Sequence, residues 1–298
     1  MRVFVTGASG HLASAVVPEL VAAGHEVTGL ARSDASAAAV SALGASVHRG
    51  DLADLDGLAK AAAGSDGVIH LAYDHGEMRS GNFAGAAATD LAVIGALGHA
   101  LAGTGKALVG TSGTLAVAGL GRAATEEDPA APGPRTEAEN MVLGFAGRDV
   151  RSSVVRVSPI THSVLDRHGF ARVLIGIARQ HGVAGYPGDG ANRWPAVHTL
   201  DVGRLFRLAL ESAPAGTRWH AAGDEGIPVR DIAESIGAHL GVPTSSVASD
   251  GLEGYFGFLA GLIGLDGPVS TAVTRRVLGW EPAHPGLLAD FDEADYFA

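Results

Sequence analysis

The spacing Gly7-x-x-Gly10-x-x-Ala13 joins an apolar run, Val3-Phe4-Val5, to an Ala/Val/Leu-rich stretch over residues 14–23. A short buried strand, a turn carrying two glycines and then a helix is a restrictive opening for any chain. Gly7 permits the tight turn, Gly10 lets the backbone approach a pyrophosphate, and Ala13 keeps the helix close to the strand. The first N–H groups of the helix and its positive dipole end face the turn, where phosphates are stabilised. The pattern therefore predicts a dinucleotide held by Gly7, Ser9, Gly10, His11 and Leu12.

The first half of the chain repeats this strand–helix rhythm. Residues 3–5, 25–30, 46–49, 67–71, 107–110 and 153–157 read as short buried strands. Residues 14–23, 35–43, 51–63, 89–103 and 136–146 read as helices, the first two closed by Gly24 and Gly44. Such alternation predicts a parallel sheet covered by helices on both faces. Residues 119–134 read as a loop. Later, 170–180, 202–211 and 229–240 read as helices and 218–221 as a strand. The fold class expected is α/β: a Rossmann-type doubly wound parallel sheet with a smaller C-terminal substrate-binding subdomain. The dinucleotide-binding domain spans 1–157, with 193–221 returning to it. The substrate-binding subdomain takes 158–192 and 222–298.

Composition removes several functions. The net charge is -11 with only 21 Lys+Arg along the chain, against what a nucleic-acid or anionic-membrane binder needs. There are no cysteines, which excludes disulfides, thiolate metal sites and cysteine nucleophiles. No His-x-x-x-His or His-Glu-x-x-His spacing points to a catalytic metal. No signal-peptide pattern is seen at the start, and no uninterrupted apolar run approaches the roughly 20 residues of a membrane span. A cytoplasmic protein without membrane or nucleic-acid partners is the expectation.

The second strand ends in Leu30-Ala31-Arg32-Ser33-Asp34. An acid at this strand end holds the ribose 2′-OH of NAD, whereas an Arg accommodates the 2′-phosphate of NADP. The Arg32 guanidinium and the Ser33 hydroxyl both bind phosphate oxygens, which favours NADPH/NADP. Asp34, displaced by a residue or two, keeps NAD open.

These residues, with Gly50-Asp51-Leu52 and His70-Leu71-Ala72, resemble the extended and atypical short-chain dehydrogenase/reductase superfamily. The subgroup resembled is that of the NAD-dependent epimerase/dehydratase-like proteins. The resemblance covers nearly the whole chain. It includes Arg193-Trp194-Pro195-Ala196-Val197-His198 before Leu200-Asp201-Val202, like the segment that returns the chain to the Rossmann domain. It implies that Asp51 and Leu52 flank the adenine and that Ala72 runs along the cofactor near its phosphates and ribose. It implies that Ser112, with Thr111, hydrogen-bonds a carbonyl oxygen near the nicotinamide. By analogy with such proteins, helices 89–103 and 136–146 would pair across a homodimer.

The resemblance fails at one place. Its members usually carry Tyr-x-x-x-Lys on the helix after the fifth strand, and here Arg135 takes the Tyr position and Glu139 the Lys position. An arginine does not donate a proton near neutral pH. Hydride transfer to a carbonyl or imine still needs a proton source. Tyr73 and His75 follow the fourth strand, at the sheet edge where ligands of open α/β sheets bind. His162 follows the sixth strand at the same edge, and His168 comes shortly after. Tyr73 is the first candidate and His162 the second, although any one of the 13 histidines is more often a packing residue. Trp194, Tyr255, Phe256 and Phe258 would shape an apolar pocket or simply fill a core.

The leading expectation is an NADPH-dependent reductase of a ketone, aldehyde or imine on a small, mainly apolar molecule. A sugar-nucleotide epimerase or dehydratase would want the missing Tyr/Lys base and a more basic pocket. An NADP(H)-binding regulatory or redox-sensing protein with little turnover would also lack that pair.

Overall fold

The computed structural model describes residues 1–74, 82–293 and 295–297. Its strands are β1 (Arg2–Thr6), β2 (Glu26–Ala31), β3 (Ser46–Arg49), β4 (Gly67–His70), β5 (Ala107–Gly113), β6 (Arg151–Val157), β7 (Ile160–His162), β8 (Ala184–Pro187), β9 (Arg193–His198), β10 (Thr217–Ala221), β11 (Asp224–Pro228) and β12 (Thr244–Val247). The first helices are α1 (Ala13–Ala22), α2 (Asp34–Ala42), α3 (Leu55–Ala63), α4 (Phe83–Leu101), α5 (Pro134–Gly144) and α6 (Phe170–His181). They are followed by α7 (Thr199–Ser212), α8 (Val229–Leu240), α9 (Leu252–Phe256), α10 (Ala260–Ile263), α11 (Ala272–Leu278) and α12 (Leu287–Glu293).

Seven strands form one sheet in the order β10-β6-β5-β4-β1-β2-β3, every neighbouring pair parallel. This is the doubly wound arrangement, with the order reversing between β1 and β4. The strands read as apolar runs because both faces are covered. In β1, Val3 and Val5 face a cluster with Val16, Leu20, Leu205 and Phe206 from α1 and α7. Phe4 points to the other side, into a cluster with Leu58, Val93, Leu97 and Val142 from α3, α4 and α5. One residue of offset thus decides which face a side chain serves.

A smaller subdomain packs α6, α8, α9, α10 and α12 around a three-stranded sheet, β11-β9-β7, with Trp194, Phe256, Phe291 and Tyr296 at its core. A two-stranded parallel sheet, β12-β8, lies alongside. These strands have three to six residues each, too short to show a period. Within 193–221, β9 pairs in the small sheet. The chain rejoins the main sheet through α7 and then β10, parallel to β6.

Two helices start elsewhere than the sequence suggests. The cap of α3 is Asp54, whose carboxylate accepts from the Gly57 amide, and Asp51 instead accepts from the Ala53 amide in the preceding turn. The Asn82 side chain accepts from the Gly85 amide and starts α4 well before residue 89, where an alanine-rich stretch hides the apolar period. By length and composition alone, 84–101 is apolar enough to cross a membrane. Here Val93, Ile94, Leu97 and Leu101 are buried against the sheet.

The helix that carries the glycine turn is clamped by α7. A Cβ on Gly203 would lie 2.9 Å from the Ala15 carbonyl oxygen in α1. Gly203→Val is expected to destabilise the protein by about 1–3 kcal/mol through overpacking. A urea midpoint equal to the wild type's would contradict this packing.

Candidate active site at the strand-order reversal

The crevice outside the ends of β1 and β4 is where an open α/β sheet receives its ligand. Gly7 sits there at φ +66°, and a Cβ on it would lie 2.7 Å from the Ala72 amide nitrogen and 2.8 Å from the Leu71 carbonyl carbon. A side chain is excluded twice, by the left-handed backbone and by the strand beside it. The Gly10 amide donates to the Gly7 carbonyl at 2.9 Å and closes the turn. Leu12 caps α1 without a side-chain hydrogen bond, so no side chain competes for the first amides of the helix. Ser9 is exposed at the turn. His11 reaches across from it, its Nε2 at 3.3 Å from the Thr161 carbonyl oxygen of β7. The cradle fits the diphosphate of a dinucleotide: bare backbone at Gly7 and Gly10, and a helix start whose cap residue makes no side-chain hydrogen bond.

At the far end of this crevice Arg32 is exposed at the tip of β2. The Ser33 hydroxyl caps α2 by accepting the Ser36 amide at 3.1 Å, so it already serves the helix. Arg49, at the end of β3, donates to the Ser33 carbonyl and pairs with Asp34. Asp34 is thus tied to a guanidinium. Arg49 adds a second cation beside Arg32, which sequence reasoning passed over because β3 carries no motif. Leu52 packs against the α3–α4 side of the core.

The β4 side carries a chain of buried polar groups. The Ala72 amide donates to Thr6 Oγ1 at 3.4 Å, Thr6 Oγ1 lies 2.6 Å from His70 Nδ1, and His70 Nε2 lies 2.9 Å from Asp90 Oδ1. With His70 Nε2 donating to the carboxylate, Nδ1 accepts the Thr6 hydroxyl proton. Arg135 Nη1 donates to Asp90 Oδ2 and Nη2 to the Thr111 carbonyl, both at 3.1 Å. The guanidinium carbon lies 4.5 Å from the centre of the Tyr73 ring. Burial pushes the Tyr73 phenol above its usual pKa, Arg135 pulls it down, and Asp90 and Asp74 raise it. The phenol is therefore protonated near neutral pH. His70 and Asp90 were not among the sequence candidates. The one signal was a lone acid, Asp90, inside an apolar helix, which demands a partner when buried.

The other candidates are placed differently. The Thr111 hydroxyl donates to the His70 carbonyl at 2.8 Å and so ties β5 to β4. The buried Ser112 faces Glu139 on α5. Glu139 takes two hydrogen bonds from Arg156, at 2.6 and 3.0 Å, and one from Arg218 at 2.7 Å. Burial pushes its carboxyl up, but the two guanidiniums outweigh this and hold it ionised below its ordinary value. The Lys position is thus occupied by a structural anion. His162 is fully buried, its Nδ1 bonded to Asp290 at 2.8 Å and its ring edge-on to His198. That places it under the small sheet and not on an open surface. His168 is exposed on the loop before α6. His75 lies outside the described residues. Trp194 and Phe256 fill the subdomain core, and the Tyr255 hydroxyl bridges Val183 and Gly185. Phe258 is 68% exposed and leans on Phe170.

His198, Asp201 and His284 also meet near the start of α7. The Asp201 carboxylate already accepts the amides of Ala283 and His284 and the His284 ring nitrogen. The His198 and His284 rings stack at 4.5 Å, and His198 accepts the Leu200 amide. This is a joint between α7 and the following chain. An open groove at the opposite edge of the sheet, lined by Arg2, His25, Ser46 and Lys60, borders the starts of the strands and not the reversal.

Sheet order and glycine turn define a Rossmann-type dinucleotide-binding fold. Residues 3–138 match the NAD dependent epimerase/dehydratase family. The chain is 43% identical, over all of both chains, to an uncharacterized protein of Schizosaccharomyces pombe. It is 30% identical to a 2-alkyl-3-oxoalkanoate reductase of Stenotrophomonas maltophilia, over 82% of this chain and 77% of that one. The fold is shared with a dTDP-glucose 4,6-dehydratase from Streptomyces venezuelae with NAD bound. There the TM-score is 0.76 and the identity 23%, over 98% of this chain and 96% of that one. The chain belongs to the NAD-dependent epimerase/dehydratase family and is an NAD(P)-dependent oxidoreductase-type enzyme.

Two outcomes follow from this geometry. Gly7→Ala places a methyl against the Ala72 backbone, and dinucleotide affinity by calorimetry should fall at least about tenfold, a loss of roughly 1.4 kcal/mol. Unchanged affinity would remove the cradle. Burial, His162 and His284 hold the His198 pKa down to about 4, against 6.5 when unfolded. The neutral ring therefore contributes stability above about pH 6.5 that is lost as the pH falls toward 4. The melting temperature should drop across that window, and less so in His198→Asn, which keeps an acceptor for the Leu200 amide. Identical profiles would contradict this assignment.

Proposed function

We propose that this enzyme is an NADPH-dependent reductase of a ketone, aldehyde or imine on a small, mainly apolar substrate, with Tyr73 as the proton donor. The observation that carries the reading is the Tyr73 phenol: protonated, beside the end of β4, at the crevice of the glycine turn, with a guanidinium on its face. A nicotinamide held in the crevice would supply the hydride for the carbonyl carbon. Tyr73 gives its hydroxyl proton to the oxygen or nitrogen that accumulates charge, which completes the alcohol or amine. The Gly7–Gly10 turn and the start of α1 hold the diphosphate. The Thr6–His70–Asp90 chain fixes the wall behind Tyr73.

Arg32, exposed at the end of β2, supports NADPH over NADH, because with Asp34 paired to Arg49 a net positive charge is left there for a 2′-phosphate. The reductase named among the relatives acts, by its name, on a 2-alkyl-3-oxoalkanoate, a β-keto carboxylate whose ketone lies between alkyl-bearing carbons.

The test is NADPH oxidation over a panel of aliphatic ketones, aldehydes and cyclic imines. Tyr73→Phe should lower kcat about 10²-fold or more with NADPH affinity retained. Arg32→Ala should weaken NADPH, but not NADH, by roughly tenfold. Saturable NADPH binding without oxidation of any panel member would favour the regulatory reading and overturn this one.

A further inference from the structure

We propose that Arg135 performs from the missing tyrosine's position the task of the missing lysine: it is the cation that sets how readily the Tyr73 phenol releases its proton. This rests on the reading of Tyr73 as the proton donor. The pair of the family is thereby exchanged in place. The phenol comes from the segment after β4, and the cation comes from the first turn of α5.

Three constraints hold the guanidinium. One amino group donates to the buried Asp90 carboxylate, the other to the Thr111 carbonyl, and the plane lies over the Tyr73 ring at 4.5 Å. A lysine has no planar fork and could not meet two acceptors and a ring face together. Asp90 is in turn fixed by His70, and His70 by Thr6, the last residue of β1 before Gly7. The cation's place is therefore tied to the strand that carries the dinucleotide turn. Arg135 never loses its charge, so its influence on the phenol is constant across the working pH. A cation on the ring face favours the phenolate over the phenol, since the anion is the more electron-rich ring.

Among the described residues the charged groups that face Tyr73 are Arg135 from α5, Asp90 from α4 and Asp74 from its own segment. The two carboxylates oppose the guanidinium. Arg135 is thus a positioning and electrostatic residue that acts through Tyr73, while Asp90 limits its effect.

The experiment is an NMR titration of ring-labelled tyrosine in the NADPH-bound full-length protein, with the Tyr73 signal assigned by its loss in Tyr73→Phe. In Arg135→Gln, which can still donate to the Thr111 carbonyl, the Tyr73 pKa should rise by about one unit or more. Asp90→Asn should lower it below the wild-type value. If Arg135→Gln fails to fold, Arg135→Lys decides: its ammonium lacks the planar fork that meets Asp90, Thr111 and the ring together, and the Tyr73 pKa should again lie above the wild-type value. Equal Tyr73 pKa values in the wild type and the folded variants would overturn the proposal. Because the readout is a titration, it can fail while carbonyl reduction stands. It can equally succeed in an enzyme that reduces none of the carbonyl panel.

Discussion

The contact on which this structure turns is the backbone of Gly7 lying against the backbone of Leu71 and Ala72, closer than any Cβ allows. It brings the ends of β1 and β4 together where the strand order reverses. It opens the crevice there and puts the start of α1 at its floor. Three groups of the candidate site adjoin that approach directly. Thr6 sits immediately before the glycine, His70 immediately before Leu71, and Tyr73 immediately after Ala72. The Thr6 and His70 side chains meet because their strands are neighbours in register, Thr6 opposite His70.

The electrostatics of the site follow from what replaces the usual pair. An arginine at one position and a glutamate one turn later cannot exchange protons with a substrate as tyrosine and lysine do. The fold spends them differently. Arg135 is drawn to Asp90 and Thr111 at the crevice. Glu139, one turn further along α5, is turned under the sheet and locked between Arg156 and Arg218. Buried charges of this kind persist only when fully paired, and removing one partner typically costs about 3–5 kcal/mol. The helix thus keeps a cation facing the ligand side and an anion facing the core.

The main sheet was legible because its strands are short apolar runs separated by glycine-closed helices, a pattern that a buried parallel sheet imposes. The glycine turn was legible because its three positions have distinct steric tasks. The small sheets were not. Ile160-Thr161-His162 and Asp224–Pro228 owe their extended form to partners distant in the chain, and nothing local announces them. The same holds for the site. Arg135 could be named as the residue in the tyrosine's place, but its contact with Tyr73 spans 62 residues and depends on the fold. Ser33 looked like a phosphate ligand, yet its hydroxyl is the cap of α2. His162 looked like a donor at a strand end, yet the small sheet and Asp290 enclose it. In each case the surroundings of the residue were set by tertiary packing.

The most direct measurement is a crystal structure of the enzyme with NADP⁺. The account predicts a diphosphate over the amides of residues 7–13, an adenosine phosphate beside Arg32 and Arg49, and the nicotinamide ring facing the Tyr73 hydroxyl. A dinucleotide seated elsewhere, or a nicotinamide with Tyr73 turned away from it, would contradict the account.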